Sequence, residues 1–317
     1  MAVIAIDLGG TKIEGALYHS DGTVFGRRKK LLDGRMGYEV GVLACEVAVE
    51  LLAEARANNV SVTGIGVCVP GIVYHQDGSV WAPNIPGWER YPLRNLLQAA
   101  FPDQVICVDS DRSCAIYGAT WIGAAKGCRN AAFFAVGTGI GLGIKVDDCV
   151  LHGAGDIAGA VGWMALQSNY DTKYNHVGCF EYYASGSGIA ARARDLLAKE
   201  PEFKQFGEAT TIDAVRGQDV FAEFDNNNPI AVSVINKAIQ LWGMAAANIV
   251  SLFNPEKVIW GGGVFGPATR FIDSIRDEAA QWAQPVAMST VKFVPAVMEH
   301  NPMLSGAAYI ALNPKTE

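Results

Sequence analysis

Apolar residues in this chain alternate between short β-branched runs and stretches recurring at three and four. The run Val3-Ile4-Ala5-Ile6 stops at Asp7-Leu8-Gly9-Gly10-Thr11-Lys12 and resumes from Ile13 to Tyr18, which predicts a strand, a glycine turn and a second strand. Ser20-Asp21-Gly22 supplies the next turn, and Val24 to Lys30 reads as a third strand. Apolar positions at three and four then predict a helix from about Tyr38 to Asn58. A strand at Gly64 to Val69, a Pro70-Gly71 break, a helix at Pro92 to Ala100, a strand at Val105 to Val108 and a helix of small residues from Cys114 to Ala125 complete the first half.

At Ala131 the pattern begins again: an apolar run to Val136, the turn Gly137-Thr138-Gly139, and a second run from Ile140 to Val146. The segments IAIDLGGTKIEGALY and FFAVGTGIGLGIKVD form a weak internal repeat, which implies two related halves. Helices are predicted at Phe180 to Ala198, Pro229 to Phe253 and Ala268 to Trp282, with a strand at Lys257 to Trp260 leading into Gly261-Gly262-Gly263. The polar stretch from Glu202 to Thr211 reads as a surface loop. Alternating strands and helices indicate an α/β fold.

Half of the 317 residues are hydrophobic, enough for a large core in one long domain or two ordinary ones, which excludes a fibrous or disordered chain. A net charge of -7 leaves no general cationic field for nucleic acid phosphates. The one basic run, Arg27-Arg28-Lys29-Lys30, reads as a solvated strand edge. The seven cysteines are scattered and odd in number, as expected of reduced, mostly buried thiols. Met1 leads straight into a strand, and no uninterrupted apolar run approaches the ~18 residues of a spanning helix. The expectation is a cytoplasmic protein with neither membrane nor nucleic acid among its partners.

A turn without side chains lets backbone N–H groups approach a phosphate, and threonine adds a hydroxyl donor. The turns at Gly9-Gly10-Thr11 and Gly137-Thr138-Gly139 are therefore either plain hairpins or two grips on a polyphosphate; their pairing, with Asp7 before the first and Lys12 after it, favours the second reading. Neither is a Walker A loop. Val108-Asp109-Ser110-Asp111 ends a strand in two carboxylates, where open α/β sheets bind ligands. Asp111 there is either an N-cap for the next helix or a base that takes a hydroxyl proton.

The motifs DLGGTK (7–12), VPGIV (69–73), PNIPGW (83–88), VGTGIGLG (136–143), GCFEYYASG (178–186) and VIWGGGV (258–264) together resemble the ROK (repressor, open reading frame, kinase) family of sugar kinases along almost the whole chain. The resemblance implies a two-domain actin-like ATPase (ribonuclease H-like) fold. Residues 1–112 with about 303–317 would form a smaller domain and 113–302 a larger one, with ATP and a hexose bound in the cleft between them. It assigns phosphate binding to Asp7, Gly9, Gly10, Thr11, Lys12, Gly137, Thr138 and Gly139, and the adenosine border to Gly261, Gly262 and Gly263. Asp111 becomes the catalytic base. Pro70, Gly71, Asn84 and Glu181 become sugar contacts, ATP with Mg²⁺ the cofactor, and a homodimer the expected assembly.

The sequence departs from the family in its specificity region. Many members hold zinc through one histidine and three cysteines; here only Cys179 remains, and the histidine position is Trp163, so no structural zinc and no metal ligand set is expected. The glutamate and histidine usually presented to the sugar C1 and C2 hydroxyls are Ala160 and Trp163, and the asparagine usually preceding the base is Ser110. Unmodified glucose is thus expected to bind poorly. Trp163 either stacks on substrate or packs beneath the domain interface. A non-catalytic sugar binder and a sugar-responsive regulator are the alternatives. The latter usually carries a helix-turn-helix ahead of the first strand, which here begins at Val3.

Overall fold

In the computed structural model, which describes residues 1–297 and 301–314, the first apolar run folds as β1 (Ala2–Leu8) and returns antiparallel as β2 (Lys12–His19), followed by β3 (Val24–Leu31). Next come α1 (Tyr38–Ala57), β4 (Val62–Val69), a hairpin of β5 (Ile72–Tyr74) and β6 (Ser79–Trp81), α2 (Leu93–Ala100), β7 (Val105–Ser110) and α3 (Asp111–Trp121). β1, β4 and β7 run parallel, giving the sheet order β3-β2-β1-β4-β7.

The second sheet repeats that plan. β8 (Ala131–Val136) turns into antiparallel β9 (Ile140–Val146), with β10 (Cys149–Val150) at the edge. Then follow α4 (Cys179–Ala184), α5 (Gly186–Leu197), α6 (Gly217–Asp225), α7 (Pro229–Phe253), β11 (Lys257–Gly261), α8 (Ile272–Ala280), α9 (Pro285–Thr290), β12 (Lys292–Pro295) and α10 (Pro302–Leu312). The order β10-β9-β8-β11-β12, with β8, β11 and β12 parallel, matches the first sheet strand for strand. The internal repeat of the sequence is thus a repeat of topology.

By compactness the chain divides into one unit of Met1–Gly127, Val150–Ala158 and Val297–Glu317 and another of Cys128–Cys149 and Gly159–Ala296. In the first, alternation sorts β1: Ile4, Ile6 and Leu8 face the core under α1, whereas Val3 and Ala5 face Leu304, Ala307 and Ala311 of α10. The α10 side is packed at glycine distance, since a Cβ on Gly66 would collide with the Ala307 carbonyl and one on Gly306 with that of Cys114 in α3. This packing keeps α3 and the chain to Gly127 with the first unit, so the division falls beyond the expected residue 112. The basic run on β3 pairs with α1, through Arg28 to Glu54 (2.8 Å) and Lys30 to Glu50 (2.8 Å) and Glu46 (2.9 Å).

The second unit has one core around α7, whose Leu241, Trp242, Ala245 and Ala246 are buried with Phe134 and Trp260. The helix predicted over 180–198 is two helices. Ser185 adopts an extended conformation (φ -79, ψ 166) and caps α5 by accepting from Gly188 N at 2.9 Å. The helix predicted from Ala268 begins as a 3-10 turn, Pro267–Phe271, and becomes α-helical only at Ile272.

Candidate functional site

The register of the first sheet brings three chain reversals to one edge. Asp7 pairs with Cys68 and Cys68 with Asp109, so β1, β4 and β7 end side by side, and their carboxyl ends deliver Gly9-Gly10, Pro70-Gly71 and Ser110-Asp111 to the same region. Ligands of parallel α/β sheets bind there.

At the first turn Gly9 N donates to Lys12 O at 2.9 Å, and a Cβ on Gly10 would lie 3.1 Å from Asn84 Cβ. The glycine therefore permits close approach of the Asn84 loop, and that loop is anchored by buried Trp88, whose Nε1 donates to Gly37 O at 2.8 Å. Thr11 is exposed. Lys12 is engaged by Glu14, Nζ to Oε1 at 2.5 Å, so its ammonium is shared with a carboxylate rather than free at the turn. Burial pushes the Asp7 carboxyl above its ordinary pKa, opposed chiefly by Asn301, whose Nδ2 donates to Asp7 Oδ2 at 3.2 Å. Asn301 also caps α10, accepting from Met303 N and Leu304 N. Asn-Pro is a recognisable helix start, yet nothing in the sequence ties it to Asp7, 294 residues away.

Ser110, not Asp111, caps α3: its Oγ accepts from Ser113 N at 3.3 Å, and Asp111 is the first helical residue. Released from capping, the Asp111 carboxyl accepts from Arg112 N at 2.8 Å. Burial raises its pKa to about 6; Arg112 works against the shift and the charge of Asp7 adds to it. Gly71 adopts φ +113 and leaves no room for a Cβ beside the Trp81 carbonyl, while its own carbonyl accepts from Arg112 Nη2 at 3.0 Å.

The second unit carries a matching edge. Gly137 N donates to Gly139 O at 2.9 Å, closing the turn between β8 and β9, and Gly137 O accepts from Gly186 N, the first residue of α5, at 2.8 Å. The positive end of a twelve-residue helix thus meets the turn, an arrangement suited to phosphate. Space around Gly137 and Gly263 is open, whereas Gly261 and Gly262 are consumed by packing: a Cβ on Gly261 would meet the Phe133 ring at 2.5 Å, and Gly262 (φ +89) lies against the Val136 backbone. Gly217, at the start of α6, lies near Gly186 and extends this glycine-lined surface; the sequence reading missed it.

Glu181, expected at the sugar, accepts from Ile140 N through Oε2 at 2.7 Å and fills the space beside Gly139 and Gly162. Burial raises its pKa, and the Ile140 bond opposes that. Ala160 precedes the turn Val161–Trp163, and Trp163, its last residue, is 58% exposed. The stretch expected to have lost the zinc ligands is held instead by rings, Tyr174 against Tyr182 (5.6 Å) and Tyr183 (6.1 Å), with buried Cys179 alongside. Thr138 lies in the turn.

A family model described as ROK family matches residues 3–313. The chain is 27% identical over 313 residues to a glucokinase of Halalkalibacterium halodurans, covering 97% of this chain and 94% of that protein. It is also 27% identical over 277 residues to a putative xylose repressor of a Caldicellulosiruptor species, covering 86% of this chain and 69% of the repressor. Among solved structures, a ROK hexokinase from Thermus thermophilus superposes with a TM-score of 0.81 at 24% identity, covering 98% of each chain. The α/β architecture is the two-domain actin-like ATPase fold that the motifs implied.

Proposed function

Because the chain belongs to the ROK family, we propose that it is an ATP-dependent sugar kinase that transfers the γ-phosphoryl group to the primary 6-hydroxyl of a hexose derivative. The observation that carries this reading is Asp111, a carboxyl at the carboxyl edge of three parallel strands with its pKa raised to about 6. A base poised near the working pH can accept the hydroxyl proton as the oxygen attacks phosphorus. Backbone N–H groups of the turns at Gly9-Gly10-Thr11 and Gly137-Thr138-Gly139 and the α5 N-terminus would hold the phosphates, and Gly263 would border the nucleoside. Asn84, Pro70, Gly71 and Ser110 would frame the sugar, with one Glu181 oxygen already committed to Ile140 N.

Mg²⁺ would neutralise the β- and γ-phosphates. Asp7, a carboxyl burdened by burial beside the first turn, suits a nearby cation, which would relieve that burden. Exposed Trp163 next to Ala160 supports a substrate altered or extended at its C1/C2 end, because an indole face stacks on C–H surfaces and offers no acceptor for hydroxyls. The repressor relative supports a second reading, a sugar-responsive regulator.

ADP release over a panel of hexoses, amino sugars, N-acyl sugars, ketoses and disaccharides tests the proposal, with proton-coupled phosphorus NMR of the product to identify the esterified carbon. Sugar-independent or absent ADP release across the panel would sink the kinase reading. Sugar-dependent DNA binding would then favour the regulator.

A further inference from the structure

Three segments of the first unit converge on one side-chain cluster that phosphoryl transfer does not use. His75 follows the β5 strand, Asp109 lies in β7, and His152 sits in the short Val150–Ala158 excursion. His152 Nε2 is 2.9 Å from Asp109 Oδ2, and His75 Nε2 is 3.9 Å from the same oxygen. The two imidazoles meet edge to face with centroids 4.5 Å apart. All three donor atoms lie within 4.8 Å of one another, the only such group among the described residues.

A fourth side chain orients the cluster. Asp156 Oδ1 is 2.7 Å from His75 Nδ1, and its Oδ2 accepts from His75 N at 3.1 Å. A proton on Nδ1 shared with that carboxylate would leave Nε2 of His75, on the Asp109 side, as the nitrogen free to bind a cation. A carboxylate behind a histidine is the outer-shell arrangement that fixes tautomer and ring direction in metal sites. Asp156 adopts φ +57, and the loop bearing it is closed by Ala158 N donating to His152 O at 2.9 Å.

We propose that His75, Asp109 and His152 bind one divalent d-block cation, zinc being the representative occupant, with Asp156 as the positioning residue behind His75. Bonds of about 2.0 to 2.2 Å to two imidazole nitrogens and one carboxylate oxygen require only modest side-chain movement from the observed spacing. His75, 42% exposed, has the freedom to make it. Nitrogen donors disfavour Mg²⁺, which separates this site from the ion that accompanies ATP. Two imidazoles and one carboxylate leave a fourth position for water or a ligand oxygen. The bound ion would staple the 150–158 excursion to the β5–β6 hairpin and the end of β7.

The test titrates the full chain, stripped with chelator and desalted, with Zn²⁺ against a chromophoric competitor, and with Co²⁺ by visible absorption. The expected result is one equivalent of Zn²⁺, a Co²⁺ d–d band without thiolate charge transfer, and a melting temperature that rises with Zn²⁺. His75→Gln and His152→Gln should abolish the tight equivalent, Asp156→Asn should weaken it about 10- to 100-fold, and Cys179→Ser should leave it unchanged. Failure of the wild-type chain to take up either ion overturns the proposal, as does zinc uptake that survives His75→Gln or a Co²⁺ spectrum with thiolate character. Because the wild-type spectrum alone reports the ligand type, misfolding of a variant does not leave the question open.

Discussion

Asp109 and Asp111 flank Ser110 at the end of one strand, yet their carboxyls are driven in opposite directions. Burial opposes ionisation of both, but His152 hydrogen-bonds Asp109 and, with His75, outweighs the burial, holding its pKa below the usual value. At Asp111 burial prevails over the opposing Arg112, and the pKa rises to about 6. One carboxylate stays ionised; the other can take up a proton at moderate pH.

Asp111→Asn should cut sugar-dependent turnover about 10²- to 10⁴-fold while leaving the KM for ATP nearly unchanged, since it removes a proton acceptor at constant shape. Steady-state ADP release checks this. Wild-type turnover by the variant would remove Asp111 from the mechanism.

The raised pKa of Asp111 predicts a pH profile. In protein freed of d-block metal and returned to magnesium buffer, kcat/KM should fall about tenfold per unit below pH about 6 as the base is protonated. The same shift weakens folding as pH rises from about 4 to about 6, and the full penalty persists above that, because the native state binds the proton more tightly than the unfolded chain. Asp111→Asn should therefore raise stability by on the order of 1 to 3 kcal/mol at pH 7 to 8, a gain that disappears below pH about 4. Thermal melts across pH give the sign directly.

Trp163→Ala should raise the KM for the best sugar far more than that for ATP and change stability by no more than about 0.5 kcal/mol, since the ring is exposed. Glucose should be a poor substrate throughout. If glucose shows the highest kcat/KM of the panel, the reading of Ala160 and Trp163 fails.

Adjacent glycines should separate folding from binding. Gly262→Ala must place a Cβ against the Val136 backbone at φ +89 and should cost about 1 to 3 kcal/mol or more in denaturant titrations. Gly263→Ala meets nothing within 4 Å; its melting temperature should hold while the KM for ATP rises. Equal destabilisation by both would dissociate Gly263 from the nucleotide.

What the sequence disclosed was mostly local. Glycine turns between apolar runs are hairpins because their pairing partners are neighbours, so Gly9-Gly10 and Gly137-Gly139 were readable, as was the repeat linking them. Ser110 capping α3 through Ser113 is also a local pattern, but only Asp111 was weighed as a cap before the resemblance made it the base. Contacts between distant segments left no such trace. Asn301 on Asp7, and His152 on Asp109 from 43 residues away, arise from sheet register and loop closure, and their spacing matches no metal or catalytic motif. The roles of Gly261 and Gly262 were likewise hidden, because only the packed β8 strand shows why no side chain fits.

The position of α10 governs the order in which the chain can fold. One face of the first sheet, Val3, Ala5, Ala16 and Cys68, is covered by Leu304, Ala307, Ala308 and Ala311. During translation that face has nothing to bury against until the ribosome has passed residue 312. The residues from Cys128 to Ala296, which include all of the second unit, emerge earlier. The second unit therefore completes its core first, inverting the usual amino-to-carboxyl sequence of domain folding.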